Sequence, residues 1–266
     1  IRLIPNLRKL FLENQSKELE LKFRNMKIYL RGAGSPSKLA STHIKYLFFD
    51  EIDKMPGAST KEASPYDLAT ERTKTFRPQQ KVYEISTPTL KTNYIWKHMS
   101  EADEIRHYFC RCPHCGEEIE LKFKQIHWSE DKENAMSNHE RAATAEYICQ
   151  ECGCVITDAD KPKMLREGRW KVVSKRGVGR AKSVGYWISS VYSLFLKWSD
   201  IAEEFLNDKD DPEKLQNFVN SWLAEPWEDT QLKTNEDLVM ERQTDVEQYT
   251  VPEWAKIITG GVDVQE

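Results

Sequence analysis

Two short cysteine motifs constrain this chain more than anything else in it. Cys112-Pro113-His114-Cys115-Gly116 and Cys149-Gln150-Glu151-Cys152-Gly153 share the pattern Cys-x-x-Cys-Gly. A tight turn of this kind brings two thiolates and nearby backbone N–H groups onto one ion. The glycine permits the positive φ that the turn requires. Two such turns supply four sulfurs, the closed tetrahedral set of a structural zinc site. Cys112, Cys115, Cys149 and Cys152 are therefore read as zinc ligands, and a closed set leaves no open position for a substrate. The 33 residues between Cys115 and Cys149 exceed the usual ribbon spacing, which predicts a hairpin with an extended loop near 130–141. Two disulfides, or six unrelated thiols, are the competing readings. The disulfides are disfavoured because Arg2, Arg8 and Lys9 interrupt the first stretch and no secretory signal follows. Cys110 and Cys154 lack the spacing and are surplus, and His114 is expected to be exposed rather than ligating.

The rest of the chain reads as α/β. A helix is predicted over 6–24 from Leu7, Leu10, Phe11, Leu19 and Leu21. Strands are predicted over 26–30, 45–49 and 80–86, with a glycine-containing loop from Arg31 to Ser37 and a helix over 67–76. The run at 45–49 is short and wholly apolar, as in a buried parallel sheet. A further strand is expected over 185–192 and helices over 198–224, the second of them started by Asp211-Pro212. Residues 228–253 are polar and acidic, a linker. The alternation of strand, loop and helix is that of α/β proteins.

Composition narrows the function classes. Eight Trp, ten Tyr and ten Phe among 266 residues argue against long-range disorder. No apolar run approaches the roughly 20 residues of a membrane span. The net charge of −4 is not that of a uniformly basic nucleic-acid coat. Residues 1–40 nevertheless hold nine Lys/Arg against three Glu, a local basic surface that either meets phosphates or is simply a solvated face. The chain starts at Ile1 and stops at Glu266, just after an apolar run over 257–264, so both ends are expected to be cuts in a longer protein.

Tyr46-Leu47-Phe48-Phe49-Asp50-Glu51 places two carboxylates at the end of an apolar strand. In a parallel sheet that is the carboxyl edge, where ligands bind. One carboxylate there can hold Mg²⁺ and the next can polarise an attacking water, the chemistry of a Walker B strand. A buried strand ending in a solvated acidic turn gives the same letters. Ser86-Thr87-Pro88 follows Asp50 by 36 residues, at the end of the next predicted strand. Hydroxyl groups at that edge can sense a γ-phosphate, although Ser-Thr-Pro is also ordinary turn chemistry. A phosphate-binding loop ending Gly-Lys-Ser/Thr is not in the sequence, and Arg31-Gly32-Ala33-Gly34-Ser35 lacks the lysine.

In order, these pieces resemble the large terminase subunit of tailed phages, lambda-like class, a DNA-packaging motor. The matching stretches are Arg31 to Ser37, Tyr46 to Asp53, Glu71 to Phe76, Ile85 to Thr89, Cys112 to Gly116, Gly185 to Ser193, Asp211-Pro212 with Leu215 to Asn220, and Gly261 to Gln265. The resemblance implies the C-terminal portion of a P-loop (RecA-like) ATPase core over 1–106, with a zinc-ribbon insertion over 107–160. An ATPase-associated strand and helices would follow over 161–227, a linker over 228–256, and the first strand of an RNase H-like nuclease over 257–266. It implies Asp50 as Mg²⁺ ligand, Glu51 as catalytic base, and Ser86, Thr87 and Pro88 as the motif coupling ATP hydrolysis to DNA movement. Asp263 would be the first carboxylate of a Mg²⁺ or Mn²⁺ nuclease site. Implied partners are double-stranded DNA, a small terminase subunit, the procapsid portal protein and further copies of the chain, in the host bacterial cytoplasm. This piece alone is expected neither to hydrolyse ATP nor to cut DNA. Arg72 and Arg77 are expected to be surface helix arginines, and Trp170, Trp187 and Trp198 packing residues. A zinc-ribbon nucleic-acid-binding or scaffold protein, and a helicase-like ATPase without nuclease activity, also fit the residues.

Overall fold

The computed structural model describes residues 4–58, 63–130 and 135–228. Residues up to Trp227 form one compact unit. The predicted linker over 228–253, the strand over 257–264 and Asp263 lie outside the described residues, apart from Glu228.

The N-terminal helix predicted over 6–24 is largely replaced. Only α1 (Pro5–Arg8) is α-helical; a single 3₁₀ turn follows at Glu13–Gln15, and the chain then forms an antiparallel pair, β1 (Glu20–Lys22) with β2 (Lys27–Tyr29). The physical reason is in the second half of the segment. Leu19, Leu21 and Phe23 alternate with Glu20, Lys22 and Arg24, a period of two rather than 3.6. Ser16 reinforces the break, since its Oγ donates to Leu12 O (2.9 Å) and accepts from Lys22 N (2.9 Å). Arg31 then pairs with Glu20 at 3.0 Å, and a short helix, α2 (Pro36–Leu39), follows the glycine-containing loop.

β3 (Tyr46–Asp50) and β4 (Lys81–Ile85) pair in parallel, with Asp50 opposite Ile85. Between them lies α3 (Pro65–Glu71), capped by Ser64 and carrying Pro65 in its first turn. The strands' inner face, with Leu47, Phe49 and Val82, packs on Tyr66 and Ala69 of α3 and on Tyr94 and Ile95 of α4 (Tyr94–Glu101). The apolar run suggests burial on both faces. The structure covers one. Tyr46, Phe48, Tyr83 and Ile85 are exposed, and Phe48 stacks on Tyr83 at 4.6 Å.

The second sheet is built on β5 (Glu104–Arg111). It pairs antiparallel with β6 (Glu118–Glu120) and β10 (Arg169–Lys175), and parallel with β11 (Val184–Trp187). β5 thus runs across position 107. A smaller sheet orders β7 (Ile126–His127), β8 (Glu146–Ile148) and β9 (Val155–Ile156). Two helices frame this region: α5 (Asn138–Ala143), overlapping the end of the predicted long loop, and α6 (Lys161–Glu167). The two C-terminal helices are α7 (Trp198–Asp208) and α8 (Pro212–Asn217). Asp211 caps α8 by accepting from Glu213 N and Lys214 N, as the Asp-Pro pair predicts. Trp198, Ile201, Leu206 and Phe218 from these helices and the turn after them pack on Ile119 and Tyr147 in the larger of two apolar clusters. Tyr192 stitches its strands together, its hydroxyl donating to Tyr108 O (2.6 Å) and accepting from Leu121 N (2.9 Å). Among the described residues no helix is long and apolar enough to cross a membrane.

Candidate functional site

The loops that follow β3 and β4 meet because their strands are adjacent and parallel. Asp50 ends β3 on the open face and is exposed. Glu51 then turns the chain in the left-handed region, with φ 52° and ψ 51°. A side chain other than glycine pays roughly 1–2 kcal/mol for that conformation. Its Oε2 lies 3.1 Å from Lys54 Nζ. Ile52, next in line, is wholly buried and pins the turn to the apolar cluster beneath.

Sequence reasoning passed over Asp53, and the structure makes it the hub. Its N–H donates to Ser86 Oγ at 3.3 Å. Its Oδ2 accepts from Thr89 N (3.0 Å) and Thr89 Oγ1 (3.2 Å), and its Oδ1 accepts from Ile95 N (2.8 Å) at the start of α4. One residue therefore ties the carboxylate turn, through its N–H, to Ser86 and, through its carboxylate, to Thr89 and α4. Ser86 Oγ donates onward to Thr87 O (2.9 Å), and Pro88 is buried. The signal in the sequence was a third carboxylate, in Asp50-Glu51-Ile52-Asp53.

A second polar cluster lies under β4. Glu84 accepts from Tyr66 Oη at 3.1 Å and meets His98 Nδ1 at 2.7 Å. Burial, and next the Glu84 charge, push the Tyr66 phenol up to about 12. The Glu84 hydrogen bond raises His98 above its ordinary value, against the opposing effect of burial. Arg72 caps α3 and donates to Ala40 O at 3.2 Å, a structural use, while Arg77 is exposed.

The two cysteine turns are copies of each other. Gly116 N donates to Cys112 O (3.0 Å) with Gly116 at φ +77°. Gly153 N donates to Cys149 O (2.9 Å) with Gly153 at φ +70°. Cys112 N and Cys149 N close the loops onto Glu117 O (2.9 Å) and Cys154 O (3.0 Å). The Sγ atoms of Cys112, Cys115, Cys149 and Cys152 all lie within 4.8 Å of one another, and Cys112 Sγ is 3.9 Å from Cys152 Sγ. Sulfurs bound tetrahedrally at 2.3 Å would be about 3.8 Å apart, so the set fits one ion. The surplus thiols have other work. Cys154 contributes its carbonyl, in the position Glu117 holds in the first turn. Cys110 is fully buried on β5, and burial pushes its thiol up to about 12. His114 is exposed and donates from Nε2 to Val155 O at 2.8 Å, joining the first turn to β9. The tryptophans divide. Trp198 is buried, Trp187 donates from Nε1 to Ala224 O (2.8 Å), and Trp170 is 38% exposed.

These features define a mixed α/β protein in which a carboxylate-ended parallel strand pair and a four-cysteine cluster belong to one compact unit. The family "Phage terminase large subunit gpA, ATPase domain" matches residues 1–170, and "Terminase large subunit gpA, endonuclease domain" matches residues 183–266. The chain belongs to the phage terminase large subunit family. It is 27% identical over 259 residues to the terminase large subunit of Enterobacteria phage P21, covering 88% of this chain and 38% of that protein. It is 29% identical over 200 residues to the terminase large subunit of Escherichia phage lambda, covering 68% of this chain and 30% of that protein. The chain thus spans less than two fifths of the length of these relatives. No solved structure matches it.

Proposed function

We propose that this chain is part of a terminase large subunit that drives viral DNA into a procapsid with ATP and cuts the concatemer. In this reading Asp50 holds Mg²⁺ with ATP and Glu51 activates the attacking water. Ser86, Thr87 and Pro88 couple hydrolysis to DNA movement. Asp263, outside the described residues, is the first ligand of a Mg²⁺ or Mn²⁺ nuclease site with an RNase H-like fold. The four thiolates hold one structural zinc within a ribbon. The small terminase subunit, the portal protein and further copies of the chain are its partners, in the host cytoplasm. The division into an ATPase part over 1–106, a ribbon over 107–160, associated elements over 161–227, a linker over 228–256 and a nuclease strand from 257 belongs to the same proposal.

One observation carries the ATPase reading. Two carboxylates end a parallel strand, and Asp53, next but one, is bonded directly to the hydroxyl of Ser86 on the neighbouring strand's loop. Glu51 supports it further, because strained backbone outside glycine persists where surroundings enforce it and clusters at functional sites. The open face bearing Phe48, Tyr83 and Ile85 suits a strand pair drawn from a larger P-loop sheet.

The experiment uses the full-length protein. Glu51→Gln should keep nucleotide binding and lose turnover, since a carboxamide cannot activate water. Asp50→Asn should instead weaken Mg²⁺-dependent binding. Wild-type hydrolysis by Glu51→Gln would reduce the acidic strand end to a turn and sink the reading.

A further inference from the structure

The connection between β10 and β11 carries a charge pattern that the site above does not use. From Gly168 to Ser199 the chain has seven Lys or Arg and no Asp or Glu, although the whole protein has a net charge of −4. Three of the seven have acidic partners elsewhere. Arg169 and Lys171 both meet Glu118, at 2.7 and 2.9 Å, and Lys175 lies 3.5 Å from Glu104. Arg176, Arg180 and Lys182 are exposed and have no acidic ion-pair partner among the described residues.

The loop bearing these three is held firmly at its base. β10 and β11 flank β5 on opposite sides, so residues 176–183 cross over the start of β5. There Asp103 fastens both ends. Its backbone O accepts from Arg176 N (2.7 Å), and its Oδ2 accepts from Lys182 N (2.7 Å) and Ser183 N (3.1 Å). Asp103 N donates to Ser183 Oγ at 3.0 Å. The two backbone donors, and to a smaller extent the Lys182 charge, lower the Asp103 pKa, so the Asp103 carboxylate is engaged first by N–H groups. Beyond this clamp Gly177 (φ +74°) and Gly179 (φ +109°) turn the tip outward, with Val178 fully exposed between them.

We propose that the loop over 176–182 contacts the phosphate backbone of double-stranded DNA. The inference rests on the reading of this chain as a DNA-handling protein and adds where the duplex is held. Cations on exposed stems, not held in ion pairs, are what sequence-independent phosphate contact requires. A protein partner would ask for a desolvated apolar centre, and the tip has only Val178.

The test is duplex binding by the full-length protein across a salt series, read by fluorescence anisotropy. Each phosphate contact contributes about 0.9 to the slope of log K against log salt. The triple variant Arg176→Gln, Arg180→Gln, Lys182→Gln should therefore have a slope shallower by about 2.7. Arg169→Gln with Lys171→Gln, whose cations already serve Glu118, should leave the slope as in wild type. Unchanged binding and slope in the triple variant would overturn the proposal, as would failure of the wild-type protein to bind duplex. Loss of binding to polyglutamate with unchanged DNA binding would reassign the loop to an acidic protein and also overturn it. Basal ATP hydrolysis without DNA, measured on the same samples, separates the two readings. Its absence in wild type counts against the proposed function, whereas its retention with an unaltered slope counts against the loop alone.

Discussion

Removing the Asp53 carboxylate is the most direct perturbation of the paired loops. That carboxylate accepts three hydrogen bonds, from Thr89 N at 3.0 Å, Thr89 Oγ1 at 3.2 Å and Ile95 N at 2.8 Å. A hydrogen bond to a charged acceptor contributes about 1.5–3 kcal/mol, and a donor left unsatisfied costs about 1–3 kcal/mol. The three bonds are not independent, because two converge on Thr89. Asp53 is also half-buried, so water replaces part of what is lost. Asp53→Ala should therefore cost about 3 kcal/mol, near 100-fold in the local opening equilibrium. Asp53→Asn keeps the volume and one accepting oxygen but turns an amide NH₂ toward a donor, for about 2 kcal/mol. Ser86→Ala removes the acceptor of Asp53 N and the donor to Thr87 O, both in a partly exposed loop, and should cost about 1 kcal/mol. Hydrogen exchange read by mass spectrometry resolves these effects by segment. Peptides over 86–96 should lose protection, whereas those over 198–208, in the separate larger cluster, should not. Full protection over 86–96 in Asp53→Ala would mean that packing alone holds the loops, and the hub would be no hub.

Three further outcomes follow from the same geometry. Purified chain should contain one zinc, lost in Cys112→Ser or Cys149→Ser and kept in Cys154→Ser; Cys110→Ser should keep it at a cost of about 1–3 kcal/mol for burying a hydroxyl, and a folded chain free of metal would end the zinc assignment. The His98 pKa is raised above 6.5, so its stabilisation is complete below pH 6.5 and disappears as pH rises through the higher folded value; denaturation midpoints of wild type and His98→Gln should converge on the alkaline side, and a constant gap would contradict the pairing with Glu84. Lys161 is 2% exposed, with Nζ 2.8 Å from Asp158 Oδ1, 2.9 Å from Leu196 O and 4.6 Å from the Trp198 ring centre; Lys161→Met should lower stability by about 1–3 kcal/mol, since Asp158 retains water but the carbonyl loses its donor, and an unchanged melting temperature would refute that.

What was legible in the sequence is what local chemistry dictates. The cysteine turns, the apolar strand ending in Asp50 and the Asp211-Pro212 cap each involve groups a few residues apart, and each stands where its spacing puts it. α5 was equally legible and was missed, because Ser137 and Glu140 form a capping box inside the stretch assigned to a loop. The segment from 6 to 24 misled because Leu7, Leu10 and Phe11 satisfy a helical period while the residues from Leu19 onward satisfy a strand period. Asp53 was out of reach for a different reason. Its accepting contacts lie 36 and 42 residues away, and only the pairing of β3 with β4 brings them together. Cys110 lies within β5 and Cys112 just beyond its end, and what separates a core thiol from a cluster thiol is the turn that begins after Arg111.

The same pairing explains why the carboxylate turn and the cysteine cluster sit in one compact unit. Asp53 anchors the first turn of α4 through Ile95 N. One side of α4 meets β11 at Gly185, where a β-carbon would stand 2.6 Å from Met99 Cγ, so the helix and strand approach as closely as glycine allows. β11 is hydrogen-bonded along β5, and β5 leads directly into the first cysteine turn at Cys112. Every link in this series is a regular element, a hydrogen bond or the packing of Met99 on Gly185. A metal that fixes the two cysteine turns would fix the far end of β5. Under the proposed function, movement of the Ser86-Thr87-Pro88 loop on hydrolysis must then either shift α4 against a tight contact at Gly185 or be relieved at the loop itself. A packed helix–strand contact resists continuous deformation, which favours a loop that switches between discrete positions over a helix that slides, and Asp53, with bonds to both the loop and the helix, stands where that switch would act.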